Sequence, residues 1–227
     1  MTGTPAVVID GMRFGYGDGD FRLAVDALSI AEGERVACVG PSGTGKTTLV
    51  NLIAGIQVPE AGSVRLGDEV VSSLTDAERR RVRIRDVGLV FQEFELLDYL
   101  SAYENLLLPY HLTPHLRLDE DVKARASELA GAMGISHTLA RRPVGLSHGE
   151  RQRVAICRAL LTEPRLVMCD EPTGNLDSKT AMVTLDLLFA QAERHGATLL
   201  MVTHDQGLLH RFDRVIDVED LQAEWTA

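Results

Sequence analysis

The sequence predicts an α/β fold with a mainly parallel sheet, an N-terminal antiparallel β subdomain and an inserted helical subdomain. Short, continuously apolar strands alternate with helical segments over most of the chain. That alternation is typical of a parallel sheet that helices cover on both faces. Two stretches interrupt it: residues 1–33 have the pattern of strands and turns, and residues 94–144 are mostly helical in pattern.

The predicted elements follow one another in a regular order. The N-terminal stretches VVIDGMRFGYG and LAVDALSIAEGE favour antiparallel strands, which residues 62–71 are expected to join. Helices are predicted over 46–54 and 178–195 and, in the inserted subdomain, after a cap at Asp119. Core strands are predicted in the apolar segments 35–40, 165–170, 197–204 and 214–218.

The length and composition indicate one sizeable domain with a buried core. The chain has 227 residues, of which 45% are hydrophobic. We expect residues 1–93 and 145–227 to form the core of this single domain and residues 94–144 to form the helical subdomain. Cys38, Cys157 and Cys169 lie in apolar stretches without metal-ligand spacing, and are expected to be buried thiols of a cytosolic protein.

Charge and hydropathy exclude several classes of protein. A net charge of −10 argues against a dedicated nucleic-acid binder and against adhesion to an anionic membrane surface. No apolar run approaches the ~18 residues that span a bilayer, and the N-terminus lacks the pattern of a secretory signal. The basic run from Glu78 to Arg85 is interpreted as a solvated helix face.

A glycine-rich segment between a predicted strand and a helix carries the first chemical signal. GPSGTGKTT, from Gly40 to Thr48, fits the pattern G-x-x-x-x-G-K-[ST] in the required context. Its backbone N–H groups are expected to surround phosphate oxygens, with Lys46 on the β- and γ-phosphates and the Thr47 hydroxyl on Mg²⁺. An ordinary glycine-rich turn is the weaker interpretation. The pattern predicts a P-loop NTPase core whose nucleotide-binding residues are Gly40, Pro41, Ser42, Gly43, Thr44, Gly45, Lys46, Thr47 and Thr48.

Polar residues at the ends of other strands form the second signal. Asp170 and Glu171 end an apolar strand, so Asp170 is placed to hold Mg²⁺ and Glu171 to polarise an attacking water. Gln92 and His204 also follow apolar strands, which predicts a set of residues that sense the γ-phosphate. For any one of these residues alone, an incidental turn position would be the better interpretation.

A third signal is the start of a helix in LSHGERQRVAICRALL, residues 146–161. Ser147 and Glu150 have the spacing of a capping box, and apolar residues recur after them at helical intervals. A helix start of this kind is also able to bind an anion. The neighbouring sequence offers no anion for it.

Taken together, these motifs resemble those of the ATP-binding subunits of ABC transporters, over nearly the whole chain. GPSGTGKT resembles Walker A, LSHGE the signature, LVMCD with Glu171 Walker B, and GNLD with Asp177 the D-loop. Gln92 and His204 match the Q-loop glutamine and the switch histidine. Tyr16 matches the aromatic residue that stacks on adenine, although a turn tyrosine would look the same.

The resemblance implies an ATPase with ATP and Mg²⁺ as cofactors, in which Glu171, His204 and Gln92 are catalytic and Thr47, Gln92 and Asp170 hold the metal. It also implies a head-to-tail dimer, expected to be a homodimer, in which Ser147, Gly149 and Asp177 contact nucleotide. Ser147 and Gly149 would face the γ-phosphate held by the other subunit, which gives the helix start its anion. Glu150 and His148 depart from the common LSGGQ signature, and the role of His148 is unassigned.

The phrases DEPTGNLDS, ENLLLP and RDVGLVFQEFELL are similar to those of lipoprotein-release, macrolide-export and cell-division ATPases and of heterocyst-type glycolipid exporters. The resemblance implies a separate membrane permease with a large extracytoplasmic domain, and a peripheral position on the cytoplasmic face of the inner membrane. Transport and a cell-division role in ATP-dependent assembly or mechanotransmission both stay open. A DNA- or ribosome-associated protein and a small-molecule kinase are disfavoured, and no nucleic-acid partner is expected.

A docking surface for the permease is expected between the Q-loop around Gln92 and the helical insertion. An apolar floor with an acidic rim suits a short amphipathic helix that carries basic residues. The alternative is that the apolar residues simply pack the subdomain. The floor residues are Phe91, Phe94, Leu96, Leu97 and Tyr99, and the rim residues are Glu93, Glu95 and Asp98.

Overall fold

The computed structural model describes residues 4–17, 21–174 and 176–223. It divides into two compact units, residues 1–83 with 198–227 and residues 84–197. The elements in chain order are β1 (Val7–Gly15), β2 (Arg22–Ile30), β3 (Arg35–Val39), α1 (Lys46–Ile53), β4 (Ala61–Leu66), α2 (Asp76–Asp86), β5 (Val87–Val90), α3 (Ala102–His111), α4 (Glu120–Ala132), α5 (His148–Leu160), β6 (Leu166–Asp170), α6 (Ser178–Arg194), β7 (Thr198–Val202), β8 (Arg214–Asp217) and α7 (Val218–Leu221).

The first unit contains an antiparallel sheet in the order β2-β1-β4. Burial along β1 alternates, as expected of a strand with one face on a core. Gly62 of β4 crosses β1 so closely that a Cβ atom there would lie 2.2 Å from the carbonyl oxygen of Gly11. The expected N-terminal antiparallel sheet, with residues of the 62–71 stretch in its third strand, is confirmed.

The same unit contains parallel strands. Strand β3 pairs in parallel with β7 on one side and with β8 on the other. All five residues of β7 are buried, as are Val36, Ala37 and Cys38 of β3. Continuous burial explains why these strands are apolar at every position instead of alternating.

The second unit combines the parallel pair β5 and β6 with helices α3 to α6. Asp119 caps α4 by accepting from the N–H of Val122 at 3.1 Å, as the sequence predicts. The fully buried Asn105 of α3 donates to the carbonyl of Leu97 and accepts from its N–H at 2.8 Å. One side chain thus holds the loop that leads into α3.

The interpretation of the basic helix α2 as a solvated face holds only in part. Arg80, Arg81 and Arg85 are exposed, but two other arginines are half-buried and bind backbone carbonyls. Arg79 donates to the carbonyls of Gly55 and Leu74 at 3.1 and 2.6 Å. Arg83 donates to the carbonyls of Ala54 and Gly55 at 3.3 and 3.2 Å. The carbonyls of Ala54 and Gly55 lie at the end of α1, where the helix leaves its last carbonyls without intrahelical partners. Two of the arginines therefore stabilise a helix terminus.

The three cysteines are buried, in accord with the sequence. Burial raises the pKa of the Cys157 thiol to about 12 and raises that of Cys169 as well. Both thiols therefore stay protonated and unreactive at neutral pH. In the described part of the chain, no helix is both long enough and apolar enough to cross a membrane.

Candidate functional site

The glycine-rich loop joins β3 to α1 in a conformation that requires its glycines. The φ angles of Gly40, Gly43 and Gly45 are 140°, 86° and 101°, in a region that side chains rarely allow. Gly45 also approaches Phe21 so closely that a Cβ atom would lie 2.9 Å from the ring. Because Gly45 is the N-cap and has no side chain, the first N–H groups of α1 are left for a ligand.

Lys46 folds back over this loop. Its ammonium group donates to the carbonyls of Gly40 and Pro41 at 2.8 and 2.6 Å. An ammonium group has three protons, so one more bond is available to an anion. A loop of positive-φ glycines, an uncapped helix start and a cation together suit the phosphates of a nucleotide.

Tyr16 lies in the same unit and reaches the loop. Its hydroxyl is 3.3 Å from the hydroxyl of Thr48 on α1. The ring packs edge-on against Phe14 at 4.8 Å and tilted against Phe21 at 5.6 Å, yet the residue is 46% exposed. The aromatic cluster therefore presents one exposed ring next to the phosphate loop.

His204 follows β7 at the same edge of the parallel strands as this loop. Cys38 of β3 pairs with Val202 of β7, and Thr203 donates to the carbonyl of Cys38 at 3.2 Å. Since both strands run in the same direction, the phosphate loop and the exposed His204 leave neighbouring strand ends.

In the second unit, Gln92 and Glu171 are brought together. Val90 of β5 pairs with Cys169 of β6, so both residues leave adjacent strand ends. Their side chains converge on Gly174, where a Cβ atom would lie 3.5 Å from the Gln92 Nε2 and 3.6 Å from the Glu171 Oε2. Glu171 has a φ of 46°, an unusual backbone conformation for a residue with a side chain.

The start of α5 has the predicted capping box. The Ser147 hydroxyl accepts from the Glu150 N–H at 3.3 Å, and the Glu150 carboxylate accepts from the Ser147 N–H at 2.8 Å. The hydrogen bond from the Ser147 backbone lowers the pKa of Glu150. The box satisfies two of the four N–H groups that begin a helix, which leaves those of His148 and Gly149.

Asp177 caps α6 by accepting from the Thr180 N–H at 3.1 Å. Hydrogen bonds from the Thr180 side chain and, second, from its backbone N–H lower the pKa of Asp177, so its carboxylate is ionised at neutral pH. Asn175, two residues before Asp177 in the expected D-loop motif, lies outside the described residues. The structure thus gives Asp177 a local role as a helix cap in addition to its expected contact with nucleotide.

The donors for a metal are oxygen atoms, as Mg²⁺ prefers. Within residues 4–17, 21–174 and 176–223, no cluster of three or more His, Cys, Asp or Glu side chains could hold a metal. Thr47 offers an exposed hydroxyl, and Asp170 offers a half-buried carboxylate at the end of β6. Such a donor set fits Mg²⁺ that keeps phosphate and water oxygens among its ligands.

Comparison with known proteins decides the family. The family model described as ABC transporter matches residues 23–174 of the chain, which include the phosphate loop, Gln92, the α5 start and Glu171. The chain belongs to the ABC transporter family. As an ATP-binding subunit of this family it binds ATP and is an ATPase, as the motifs predicted.

Curated relatives of this ABC protein share about two fifths of its residues. One is the lipoprotein-releasing system ATP-binding protein LolD of Xanthomonas axonopodis pv. citri, 42% identical over 89% of the chain and 84% of the relative. LolD of Geobacter metallireducens is also 42% identical, over 91% of the chain and 92% of the relative. LolD of Pseudomonas fluorescens is 44% identical over 85% of the chain and 84% of the relative.

Solved structures confirm the ABC cassette fold and the predicted α/β class. The ATP-binding cassette MJ0796, in a dimeric post-hydrolysis state bound to ADP and Pi, is 32% identical with a TM-score of 0.84. That match covers 96% of this chain and 97% of the solved chain. The cassette cbiO1 of Clostridium perfringens, part of the transporter complex cbiONQ, gives a TM-score of 0.83 at 27% identity, over 94% of this chain and 84% of the other.

Sequence reasoning missed how the segment after Gln92 is held. Phe94 was expected to line a docking surface, but it is buried and its ring lies 5.9 Å from that of His148, edge to face. Arg158 of α5 donates to the carbonyls of Phe94 and Glu95. The sequence signal that could have pointed to Arg158 is a cation placed inside the apolar half of a helix.

Proposed function

We propose that this ABC ATPase drives a lipoprotein-releasing type of transport complex through a separate membrane permease. The observation that supports this substrate class is the 42% identity to LolD proteins over 89% and 91% of the chain. At that similarity over nearly the full length, the partner surfaces as well as the ATP site are expected to be related. The relatives compared are lipoprotein-releasing proteins, so they give no support to the cell-division alternative.

The residues of the two units have separate proposed tasks. The loop from Gly40 to Thr48 binds the phosphates through backbone N–H groups, Lys46 donates to the terminal phosphates, and Tyr16 stacks on adenine. Glu171 accepts a proton from the attacking water and aligns it, Gln92 positions that water, and His204 donates to the γ-phosphate. The convergence of Gln92 and Glu171 on Gly174 supports the shared task of these two side chains.

Thr47, Asp170 and Gln92 are the proposed ligands of Mg²⁺. When bound, Mg²⁺ neutralises charge on the β- and γ-phosphate oxygens. Thr47 and Asp170 keep donor oxygens at two element ends, one at the first turn of α1 and one at the end of β6. Each would orient the ion by a single oxygen, which suits its reluctance to lose water.

The start of α5 is proposed to complete the site of a second copy of this chain. The N–H groups of His148 and Gly149 are the two that the capping box leaves, and Ser147 can donate its hydroxyl proton while accepting the cap bond. A γ-phosphate held by the partner copy would satisfy these donors. The dimeric state of MJ0796 with ADP and Pi supports an arrangement in which nucleotide and dimer are linked.

The permease is proposed to dock on the segment that follows Gln92, from the cytoplasmic face of the inner membrane. Tyr99 is 69% exposed there, and Glu93, Glu95 and Asp98 are exposed around it. An exposed aromatic ring among acidic groups suits a short helix that carries basic and apolar residues. A large extracytoplasmic domain in that permease is part of the same proposal.

Co-purification with the native membrane permease tests the proposal. Glu93→Lys with Asp98→Lys should reduce recovery of the complex about tenfold, because both exposed carboxylates belong to the proposed acidic rim that attracts a basic helix. ATPase activity of the free subunit should stay within twofold. Glu128→Lys on α4 is a matched control, being an exposed acidic residue of the same unit. Full recovery with the reversed charges would contradict the docking surface, and failure of the wild-type chain to co-purify would contradict the proposed complex.

A further inference from the structure

Two consecutive residues after Gln92 adopt a backbone conformation that their side chains disfavour. The φ angles are 63° for Phe94 and 48° for Glu95. For an L-residue with a Cβ atom this left-handed region is unfavourable, and two neighbouring residues each carry that energetic cost. Glycine or asparagine is the residue usually found there. Such a turn persists only where surrounding contacts hold it.

Arg158, in the last turn of α5, binds this left-handed turn directly. One guanidinium nitrogen donates to the carbonyl of Phe94 at 2.7 Å, and the other donates to the carbonyl of Glu95. Charge-assisted bonds of this kind are stronger than bonds between neutral groups. The planar fork of arginine fits two adjacent carbonyls, whereas the ammonium group of a lysine would act as a single point.

A second contact joins the same turn to the start of α5. The ring of Phe94 meets that of His148 edge to face, with centroids 5.9 Å apart. Side chains on a helix point back towards its N-terminus, so Arg158 reaches towards the same end where His148 lies. Helix α5 therefore contacts both the backbone carbonyls of the turn and the buried ring of Phe94.

The held turn lies next to the residue that positions water. Gln92 is separated from Phe94 by a single residue, and its Nε2 and the Glu171 Oε2 converge on Gly174. If the turn relaxed to negative φ angles, the chain direction after Gln92 would change and the amide would move away from Glu171. Misplacement of a catalytic group by about 1 Å can cost ~100-fold in rate.

We propose that Arg158 is a positioning residue for ATP hydrolysis, which keeps Gln92 in place by holding Phe94 and Glu95 in the left-handed conformation. The inference rests on the proposed roles of Gln92 and Glu171. It adds that α5, whose start is proposed to bind the partner's nucleotide, is fastened to the Gln92 segment of its own chain. A movement of α5 would then shift Gln92 through the contacts of Arg158 within the same chain, and not through the bound nucleotide.

The test is Arg158→Lys in the full-length chain, with Arg125→Lys as the matched control. Arg125 is also a half-buried arginine of the second unit that donates to a backbone carbonyl, that of Leu161, at 3.0 Å. Steady-state ATPase assays should give a kcat about tenfold lower for Arg158→Lys with KM for ATP within twofold, since the phosphate loop that binds ATP is unchanged. Arg125→Lys should keep a kcat within twofold of wild type, at a similar loss of thermal stability.

Two further measurements separate positioning from a general structural defect. Amide hydrogen exchange in residues 92–98 should speed up at least fivefold in Arg158→Lys and stay unchanged in Arg125→Lys. Glu95→Asn should restore most of the lost kcat in the Arg158→Lys chain, because asparagine tolerates the left-handed region. A kcat equal to that of the control, an unchanged exchange rate, or a failed rescue would each overturn the proposal. A wild-type chain without ATPase activity would refute the proposed function instead, and the exchange rates would still decide whether Arg158 holds the turn.

Discussion

Gly149→Ala should destabilise the second unit because a methyl group at this position has no room. A Cβ atom there would lie 2.7 Å from the Cγ2 of Thr180 and 3.3 Å from a guanidinium nitrogen of Arg153. The arginine tip can move aside, but Thr180 is β-branched and stiff at χ1 in its helix. Either the start of α5 or the first turn of α6 must therefore shift.

The expected size of this effect follows from two opposing contributions. Overpacking by one methyl group costs about 1–3 kcal/mol. Alanine is favoured over glycine within a helix by at most about 1 kcal/mol, and by less in the first turn. The free energy of unfolding should thus fall by about 1–2 kcal/mol, which corresponds to a Tm about 2–8 °C lower for a chain of this size.

A double-mutant cycle measures the clash itself. Thr180→Ala removes the Cγ2 together with the hydroxyl that hydrogen-bonds to Asp177, but it leaves the Thr180 N–H that donates to Asp177. The cycle cancels the cost of the lost hydroxyl bond, because Thr180→Ala is measured both with and without Gly149→Ala. Urea unfolding of the four chains should give a coupling energy between Gly149→Ala and Thr180→Ala of about 1–3 kcal/mol. Because Gly149→Ala retains its backbone N–H, ATPase activity lost in the single variant should return in the double variant. A coupling energy near zero would refute the reasoning, as would a loss of activity that Thr180→Ala does not repair.

Two other predictions concern the same helix start. His148→Gly should leave ATPase activity within several-fold of wild type in a steady-state assay, because the backbone N–H is kept and Arg158 still binds the turn that loses the ring contact. A loss as complete as that of Glu171→Gln would reveal a direct catalytic role. Glu150→Gln should change how stability depends on pH, as measured by urea unfolding at several pH values. Since the pKa of Glu150 is lowered in the folded state from 4.5, its contribution is present above that value and is lost as pH falls through the folded pKa. The advantage of wild type over Glu150→Gln should therefore shrink on acidification, and an advantage that stays constant with pH would contradict this.

The parts of the site that the sequence predicted are those that depend on residues close together in the chain. The glycines of the phosphate loop set the backbone conformation at their own positions, and the capping box joins Ser147 to Glu150, three residues further along the chain. Strand ends were also predictable, because continuous apolar runs in β6 and β7 place Glu171 and His204 at the edge of parallel strands. Local chemistry sets these features, so the sequence shows them.

The features that the sequence did not predict depend on contacts between distant residues. Arg158 is 63 and 64 positions from the carbonyls that it binds. The left-handed turn at Phe94 has no local signal, since neither residue of the turn is a glycine or an asparagine. The contacts with Arg158 stabilise a backbone conformation that these two residues would otherwise disfavour. Phe94 was accordingly assigned to a docking surface, when burial against α5 explains it better.

The two helix starts of the proposed nucleotide site differ in how many backbone N–H groups remain available to phosphate. This difference affects how the dimer opens. At α1 the N-cap is Gly45, which has no capping side chain, and Lys46 adds a positive charge. At α5 the capping box occupies two of the four N–H groups. The phosphate loop is therefore expected to bind phosphate more strongly than the α5 start does. Loss of the γ-phosphate would then release the α5 contacts first, so a dimer held by ATP can separate while each copy keeps its ADP.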